Sequence, residues 1–394
     1  MEATVQGGHR RLQLTLFLVG LLVVLLASVR VAMVTSWYAC HVSGGGYDNA
    51  YISDEIYYVD AARRILVNVF GYRSPLFNYS GETASNYYNF EHPPLGKYII
   101  AASMVLLGDR PFSWRAPSVI MASLIPLIIY LGLSWGRDAR WILIGAAAGI
   151  LASADHILVV MGSVALLDIY AAFFLSIAIV SAFRERFLLS SVFEGLAWAS
   201  KETAVPGLLA IWLLIALRSP NRKGLKLIGL TLLVTLAVFL LAYVPLFAHF
   251  GLIYVIQQTI GGYKWDMESR PPGPPTSTPS GWFFNVDPFV LSYSPLLTAS
   301  MTEAFEVPAM VSALAIFVAG MINDRSLVRA GDAFFVMEFV GLWTVYLIGN
   351  HTLYSFYSVV FTPASAVTMA EVLDIISRKM IKNKIKIINT SSSI

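Results

Sequence analysis

The chain is short of cysteine and of charged residues. Cys40 is the single cysteine among 394 residues, which excludes an internal disulfide framework and a metal cluster built on cysteine. Charged residues make up 13% of the chain, whereas a soluble domain carries about a quarter. The sequence also lacks internal repeats, glycine-rich nucleotide-binding motifs and the patterns of nucleic-acid-binding proteins. These shortages exclude an ordinary soluble domain, because too little polar surface is left to face water.

Apolar sequence takes the place of the missing charge. Hydrophobic residues make up 57% of the chain, and stretches near the length of about 20 residues that crosses a bilayer recur along almost all of it. We therefore predict an all-α, polytopic membrane protein with about ten transmembrane helices in a single domain, residues 1–394. Leu12–Val34 is too long for the apolar core of a signal peptide, so we expect it to remain as the first span. The predicted spans are Leu12–Ser36, Leu95–Leu107, Trp114–Leu133, Trp141–Val160, Val164–Phe183, Phe193–Leu217, Leu225–Phe250, Thr302–Ile322, Ala333–Ile348 and Tyr354–Ile376.

The distribution of Lys and Arg predicts the orientation of these spans. With both termini in the cytoplasm, two long segments, Trp37–Pro94 and Gly251–Met301, lie outside, and the basic tail 377–394 contacts anionic lipid headgroups. The inner loops then carry Arg10, Arg11, Arg110, Arg115, Arg218, Arg222, Lys223, Lys226, Arg325 and Arg329. The short outer connections carry Arg137, Arg140, Arg184 and Arg186.

Each long outer segment has a distinctive pattern. In the first, Glu55–Val69 has helical periodicity with one apolar and one polar side, which is typical of a helix in the membrane interface. In the second, Arg270–Pro275 reads Arg-Pro-Pro-Gly-Pro-Pro and cannot be helical, because proline lacks an amide donor and has a restricted φ. We expect this stretch to be an extended, ordered lid or substrate-contacting loop.

Two short motifs place ionisable groups near the outer membrane face. Asp54-Glu55 lies in the first outer segment, and His92-Pro-Pro-Leu-Gly-Lys97 opens the second predicted span. By local sequence alone, the acids could simply cap a helix N-terminus, and the lysine could snorkel at a helix end. Taken together, two carboxylates, an imidazole and an ammonium group at one membrane face are groups that a lipid phosphate could meet.

This pair of motifs resembles the protein O-mannosyltransferases, a family of C-type membrane glycosyltransferases. The resemblance implies that a sugar, mannose in this family, is transferred with inversion from a polyprenyl-phosphate donor to Ser or Thr hydroxyl groups of proteins. It implies that Asp54 is the general base and that Glu55 positions the acceptor or supports Asp54. It also implies that Lys97 and His92 contact the donor phosphate. Such a reaction needs a base for the hydroxyl proton and fixed cations for the leaving phosphate.

Lys201 and Glu202 lie near the middle of the predicted span Phe193–Leu217. An ion at that depth costs on the order of 3 kcal/mol, so it usually lines a cavity or finds a partner. One interpretation is a structural ion pair between packed helices. The other is functional, because Gly195–Lys201 is similar to a segment of the mannosyltransferases. That similarity makes Lys201 a candidate phosphate-binding cation and Glu202 a further candidate site residue.

Two more candidates depend on the resemblance. Leu167-Asp168 resembles a Leu-Asp step of the family, but Ser163 stands near the place where the family usually has an Arg. The membrane side of Asp168 depends on how residues 141–183 divide into spans. Arg30 lies near the outer end of the first span, where the family has a similar Arg. The resemblance makes it a candidate phosphate ligand, and a snorkelling side chain explains its position equally well.

The resemblance covers the first third of the chain well and weakens after about Gly251. The second outer segment is too short for the β-trefoil MIR domain of eukaryotic members, which points to a compact member from the plasma membrane of an archaeon or a bacterium. We expect no required cofactor, although a divalent cation at Asp54 and Glu55 stays open. The expected partners are the lipid donor, a protein acceptor and membrane lipids, without nucleic acid; whether the chain forms a dimer is left open.

Two other functions stay open on the sequence. The same chemistry could act on a lipid or glycan acceptor, as in the aminoarabinose transferases. A transporter or channel would line a path through the membrane midplane with its ionisable groups. Lys201 and Glu202 fit such a path weakly, but no inverted repeat is visible in the sequence.

Overall fold

The computed structural model describes residues 2–42, 51–73, 76, 79–266 and 276–391, and this part of the chain is mostly helical. Strands β1 (Phe289–Tyr293) and β2 (Leu296–Ala299) form one small antiparallel pair. The helices are α1 (Glu2–His41), α2 (Glu55–Arg64), α3 (Leu95–Leu107), α4 (Pro111–Ser134), α5 (Ala139–Ala154), α6 (His156–Gly162), α7 (Asp168–Phe183), α8 (Phe187–Ser200), α9 (Pro206–Arg218), α10 (Arg222–Phe250), α11 (Leu252–Asp266), α12 (Glu303–Ile322), α13 (Ala330–Leu347) and α14 (Phe361–Ser391).

Six of the described helices are long and apolar enough to cross a membrane. They are α1 (from Arg10), α4, α10, α12, α13 and the helical stretch Ser355–Asn383. A seventh span is formed if α5 and α6, which meet at a 60° bend, are counted as one. These lengths and compositions confirm the predicted multi-pass helical architecture.

Contacts between α1 and α4 define the two ends of the helix bundle. Arg115, in the first turns of α4, donates from Nη1 to the carbonyl of Ala39 near the end of α1, at 2.9 Å. Tyr130, near the end of α4, donates to the carbonyl of Phe17, at 2.6 Å. The two helices are therefore antiparallel. We call the end where α1 finishes and α4 begins the site end, and the other the opposite end.

The predicted span Leu95–Leu107 does not cross between these ends. It forms α3 as expected, but Ser103 Oγ donates to the carbonyl of Ser113 at the start of α4, at 2.8 Å. Asp109, just after α3, pairs with Arg63 of α2 at 2.7 Å. Both termini of α3 thus lie at the site end. Thirteen residues of helix cover only about 20 Å, so an apolar composition alone was a misleading guide to a span.

The predicted span Phe193–Leu217 is in fact two helices. The chain is helical in α8 up to Ser200, becomes extended at Lys201 (φ −156°), and resumes at Pro206, whose ring suits the first position of α9. At the opposite end, Arg218 at the end of α9 pairs with Glu185 before α8, at 3.6 Å. Helix α8 therefore leads from the opposite end to the break at residues 201–205, and α9 leads from the break back to the opposite end.

The cations are more strongly segregated between the two ends than the sequence predicted. Arg115 and Arg110, assigned to the inner loops, lie at the site end, because α3 does not cross. Arg140, assigned to an outer connection, pairs with Asp374 of α14 at the opposite end, at 3.0 Å. Arg137, Arg184 and Arg186 lie in the turns at that same end. Most of the basic loop residues therefore gather at the opposite end.

The segment Trp37–Pro94, predicted to lie outside, contains the predicted helix over Glu55–Val69, as α2 followed by one π-helical turn. Its polar side does not face water. Asp60 and Arg63 are fully buried and pair at 2.9 Å, and Asp60 also accepts from the hydroxyl groups of Ser80 and Thr83, each at 2.6 Å. These bonds fasten residues 80–83 over α2.

The segment Gly251–Met301, also predicted to lie outside, contains an element that the sequence did not predict. Helix α11 follows α10 after Gly251 and lies at the site end, where an added Cβ on Gly262 would meet the backbone of Glu91 at 2.5 Å. The predicted extended stretch Arg270–Pro275 lies outside the described residues.

Candidate active site

The hexapeptide turn is built around the buried Lys97. An added Cβ on Gly96 would lie 2.7 Å from Leu167, so only glycine lets the start of α3 pack this closely. Lys97 is 1% exposed, and its ammonium group donates to the carbonyls of Asn89 and His92, the latter at 2.7 Å. In this structure Lys97 supports the turn that carries His92, and it lines neither of the two cavities described below. Direct contact between Lys97 and a phosphate stays a prediction.

The two acids of the Asp54-Glu55 pair have different surroundings. Glu55 is fully buried, and Arg115 binds its carboxylate with two bonds, at 2.7 and 2.8 Å. The carboxylate also accepts from the backbone amides of Ile52 and Ala165, at 2.8 and 2.7 Å. Of the two roles predicted for Glu55, support of Asp54 fits this geometry and contact with an acceptor does not. Asp54, by contrast, lines an open cavity.

A row of polar groups leads from Asp54 to the break between α8 and α9. Tyr58, one helical turn after Asp54, approaches Asp54 Oδ2 at 3.5 Å, and Lys201 Nζ donates to the Tyr58 hydroxyl at 3.3 Å. Lys201 Nζ also lies 3.0 Å from His92 Nε2, and His92 Nδ1 lies 2.9 Å from Glu202 Oε1. Burial, followed by the charge of Asp54, raises the pKa of Tyr58 well above its ordinary value, so its hydroxyl group stays protonated.

Two cavities meet beside this row. The first, of about 740 Å³, is lined by Asp54 and by polar and aromatic side chains of residues 84–92 and of α11. The second, of about 610 Å³, is lined mainly by apolar side chains of α9 and α13, with Glu202 at one side. His92 and Tyr357 line both cavities. The arrangement can therefore hold a polar molecule and an apolar chain with their ends together at His92.

Of the two remaining predicted site residues, Asp168 joins this cluster and Arg30 does not. Asp168 is the first residue of α7, is fully buried at the site end, and lies close enough to Lys201, Glu202, His92 and Asp54 to interact electrostatically. Neither of its carboxylate oxygens has a hydrogen-bond partner among the described residues. Arg30 lies away from this cluster: it is exposed on α1 and donates to the carbonyl of Ser153, at 3.3 Å.

Two residues of the site, Tyr58 and Arg115, were missed in the sequence. Tyr58 carried a usable signal, since residues four apart on a helix share a face and Asp54 immediately precedes α2. Arg115 carried none, because it reaches the site only through the packing of distant elements. Among the described residues, no group of three or more His, Cys, Asp or Glu side chains is arranged to hold a metal ion.

Part of the chain is similar to known mannosyltransferases. Residues 91–249 match the family model described as dolichyl-phosphate-mannose-protein mannosyltransferase; the match includes the hexapeptide and Lys201 but not Asp54. A polyprenol-phosphate-mannose–protein mannosyltransferase of Mycobacterium tuberculosis is 32% identical over 108 residues, which are 27% of this chain and 20% of that protein. The chain thus covers about a fifth of the length of this curated relative.

Two solved structures share the architecture. ArnT from Cupriavidus metallidurans, bound to undecaprenyl phosphate, aligns with a TM-score of 0.56 and 14% identity over 88% of this chain and 59% of that one. The oligosaccharyltransferase AglB from Archaeoglobus fulgidus, in complex with an inhibitory peptide and a dolichol-phosphate, aligns with a TM-score of 0.50 and 16% identity over 93% and 51%. Residues 91–249 are therefore similar to the dolichyl-phosphate-mannose-protein mannosyltransferase family, and the described part of the chain shares the fold of the ArnT and AglB structures.

Proposed function

We propose that the protein transfers a sugar from a polyprenyl-phosphate donor to a hydroxyl group of a protein acceptor, at the site end of the bundle. The observation that carries this proposal is the meeting of a polar and an apolar cavity at His92 and Tyr357, with Asp54 in the polar one. Mannose is the proposed sugar and Ser or Thr the proposed acceptor, in keeping with the names of the matched family and relatives.

The apolar cavity is the proposed site of the polyprenyl chain. Its walls come from α9 and α13, which leave Pro206, Leu209, Val340 and Val345 facing the space. A chain of isoprene units needs such an apolar surface, while its phosphate needs donors at one end. The solved structures of ArnT and AglB contain a polyprenyl phosphate, which supports this assignment on a shared fold.

The phosphate would then lie where the two cavities meet. Lys201 is 1% exposed and is held between the rings of Tyr58 and Tyr357, whose centroids lie 5.6 and 5.3 Å from Nζ. The ammonium group and His92 are therefore preorganised in a largely dry site, where fixed charge acts more strongly than in water. As the bond between sugar and phosphate breaks, the phosphate gains negative charge and this stabilisation grows.

The acceptor would enter the polar cavity and present its hydroxyl group to Asp54. Asp54 takes the proton as the acceptor oxygen attacks the anomeric carbon from the face opposite the phosphate, which inverts the configuration at that carbon. Glu55 takes no direct part in this scheme. Bound to Arg115, it holds the segment that carries Asp54.

The direct test of this function is an incubation of purified protein with dolichyl-phosphate-mannose and a Ser/Thr-rich peptide. Mass spectrometry should find peptide carrying one added hexose. Because the reaction inverts, the anomeric configuration of that hexose should be opposite to its configuration in the donor. Transfer to a lipid or glycan acceptor but not to the peptide would instead favour the alternative acceptor class. Absence of transfer to every acceptor would contradict the proposal.

The assignment of the apolar cavity predicts a selective effect of Val345→Trp. The larger ring should fill part of the cavity of about 610 Å³, so kcat/KM for a long-chain donor should fall by about 10-fold or more, whereas a donor with a short chain should be less affected. Initial rates with the two donors measure this difference. The matched control is Val311→Trp on the exposed face of α12, which should leave both donors unaffected. Equal losses for long and short donors would contradict the assignment.

The segregation of cations predicts that the opposite end and both termini are cytoplasmic. In a Cys40→Ala background, Ser85→Cys at the site end should react with an impermeant maleimide in intact cells. Ser326→Cys, next to Arg325 at the opposite end, should react only after lysis, and both positions are exposed. The reversed labelling pattern would overturn the orientation and would place the site on the cytoplasmic side.

A further inference from the structure

The hydroxyl group of Tyr58 lies between the proposed base and the proposed phosphate-binding lysine. It is 3.5 Å from Asp54 Oδ2 and 3.3 Å from Lys201 Nζ. The Tyr58 side chain is 2% exposed, so bulk water does not replace it as a link between the two groups. The longer contact is typical of an active site before substrate is bound, in which catalytic hydrogen bonds are loose and tighten later.

The groups around this hydroxyl come from four parts of the chain. Asp54 precedes the helix that carries Tyr58, Asp168 begins α7, Lys201 and Glu202 occupy the break, and Tyr357 lies before α14. The ring of His92 packs edge-on against the Tyr58 ring, with centroids 5.6 Å apart. Because burial and Asp54 hold the pKa of Tyr58 well above its usual range, the phenol keeps its proton and can pass one on only as it accepts another.

We propose that Tyr58 is a proton relay that connects Asp54 to Lys201 and returns the acceptor proton to the leaving phosphate. The proposal rests on the proposed function and adds a catalytic residue to it. It follows from the position of one buried hydroxyl group within reach of both a carboxylate and an ammonium group.

In the relay, each group that gives up a proton receives another. The acceptor oxygen forms its bond to the anomeric carbon, and its proton passes to Asp54. The bond between that carbon and the phosphate oxygen breaks, and its electron pair leaves with the phosphate. Lys201 gives one proton to the phosphate oxygen that carried the sugar. Lys201 regains a proton from the Tyr58 hydroxyl, and Tyr58 takes the proton held by Asp54. Base and lysine are thus both restored, and no proton comes from solvent.

The test is Tyr58→Phe, which removes one oxygen atom and keeps the ring beside Lys201. We expect kcat to fall by about 10- to 100-fold with little change in the KM for donor, since Lys201 and His92 still face the phosphate. In mixtures of H2O and D2O, the dependence of kcat on deuterium content should be curved for the unaltered protein, because several protons move. It should become linear or flat in Tyr58→Phe.

Two controls separate a relay from a structural role. Tyr170→Phe removes another buried hydroxyl, which lies 3.1 Å from Ser118 Oγ outside both cavities, and should leave kcat and the isotope dependence unchanged. In an Asp54→Asn background, Tyr58→Phe should cause no further loss, because no proton enters the relay.

Three results would overturn the relay. They are a normal kcat in Tyr58→Phe, a rise in donor KM that accounts for the whole loss, and losses from Asp54→Asn and Tyr58→Phe that simply multiply. Failure of the unaltered protein to transfer sugar would be a different outcome, because it would overturn the proposed function itself.

Discussion

We expect Asp54→Asn to lower kcat by about 10²- to 10⁴-fold, the range that a positioned general base contributes. Asparagine keeps the size of the side chain and much of its hydrogen bonding, so the fold and the binding of donor should be retained. The single-turnover rate of sugar transfer to peptide measures the loss, and binding of the lipid donor, measured separately, should be close to that of the unaltered protein.

The matched control for Asp54→Asn is Asp287→Asn. Asp287 is exposed at the site end and has a left-handed backbone conformation (φ 47°), which asparagine tolerates well. It should transfer sugar at the normal rate. If Asp54→Asn does the same, Asp54 is not the base, and Asp168 becomes the next acid to test, because it lies in the same electrostatic cluster.

The largest effect on stability should come from Glu55→Gln. This change removes the carboxylate that binds Arg115, which is 1% exposed, and breaking a buried pair in this way costs about 3–5 kcal/mol. The loss should appear as a marked fall in the midpoint of thermal unfolding and in the yield of folded protein in detergent. Removing both charges, as Glu55→Gln with Arg115→Met, should be less damaging than Glu55→Gln alone, because both members of the buried pair are then removed together.

An exposed ion pair provides the control for this prediction. Glu185 and Arg218 lie 3.6 Å apart, with their side chains 67% and 30% exposed, so Glu185→Gln should cost no more than about 1 kcal/mol. Equal costs for the two glutamates would show that the bond between Glu55 and Arg115 does not hold the site together. In that case a direct role of Glu55 in binding the acceptor should be tested.

Hydropathy predicted where the helices are in the sequence better than it predicted which of them cross the membrane. Apolar content is a local property, so α3 was recognised as a helix from Leu95 to Leu107. Whether a helix crosses the membrane depends on where its neighbours lie, and the bond between Arg63 and Asp109, 46 residues apart, decides that for α3. The break at Lys201 had a local signal in Lys201, Glu202 and Pro206, but the apolar residues on both sides favoured one continuous span.

The same distinction holds for the site. The hexapeptide could be recognised because its residues are contiguous, and Asp54 was singled out because the Asp54-Glu55 pair, together with the hexapeptide, resembles the protein O-mannosyltransferases. The direction of the Lys97 side chain could not be predicted, since it depends on the carbonyl of Asn89, whose place is determined by the fold of the outer segment. Tyr58 and Lys201 are 143 residues apart, and no periodicity links them. Their contact exists only because α2 packs over the break.

The break between α8 and α9 has a consequence for the bilayer itself. Helices α7, α8 and α9 have 16, 14 and 13 residues, or about 24, 21 and 20 Å of length, and all three reach the site but go no further. A hydrocarbon core is about 30 Å thick, so helices of this length place the proposed catalytic groups several ångströms beneath the plane of the headgroups. A lipid donor at its resting depth must therefore sink, or the surrounding leaflet must thin by hydrophobic mismatch. Under the proposed function, membrane thickness thus becomes a determinant of how easily the lipid donor reaches the site.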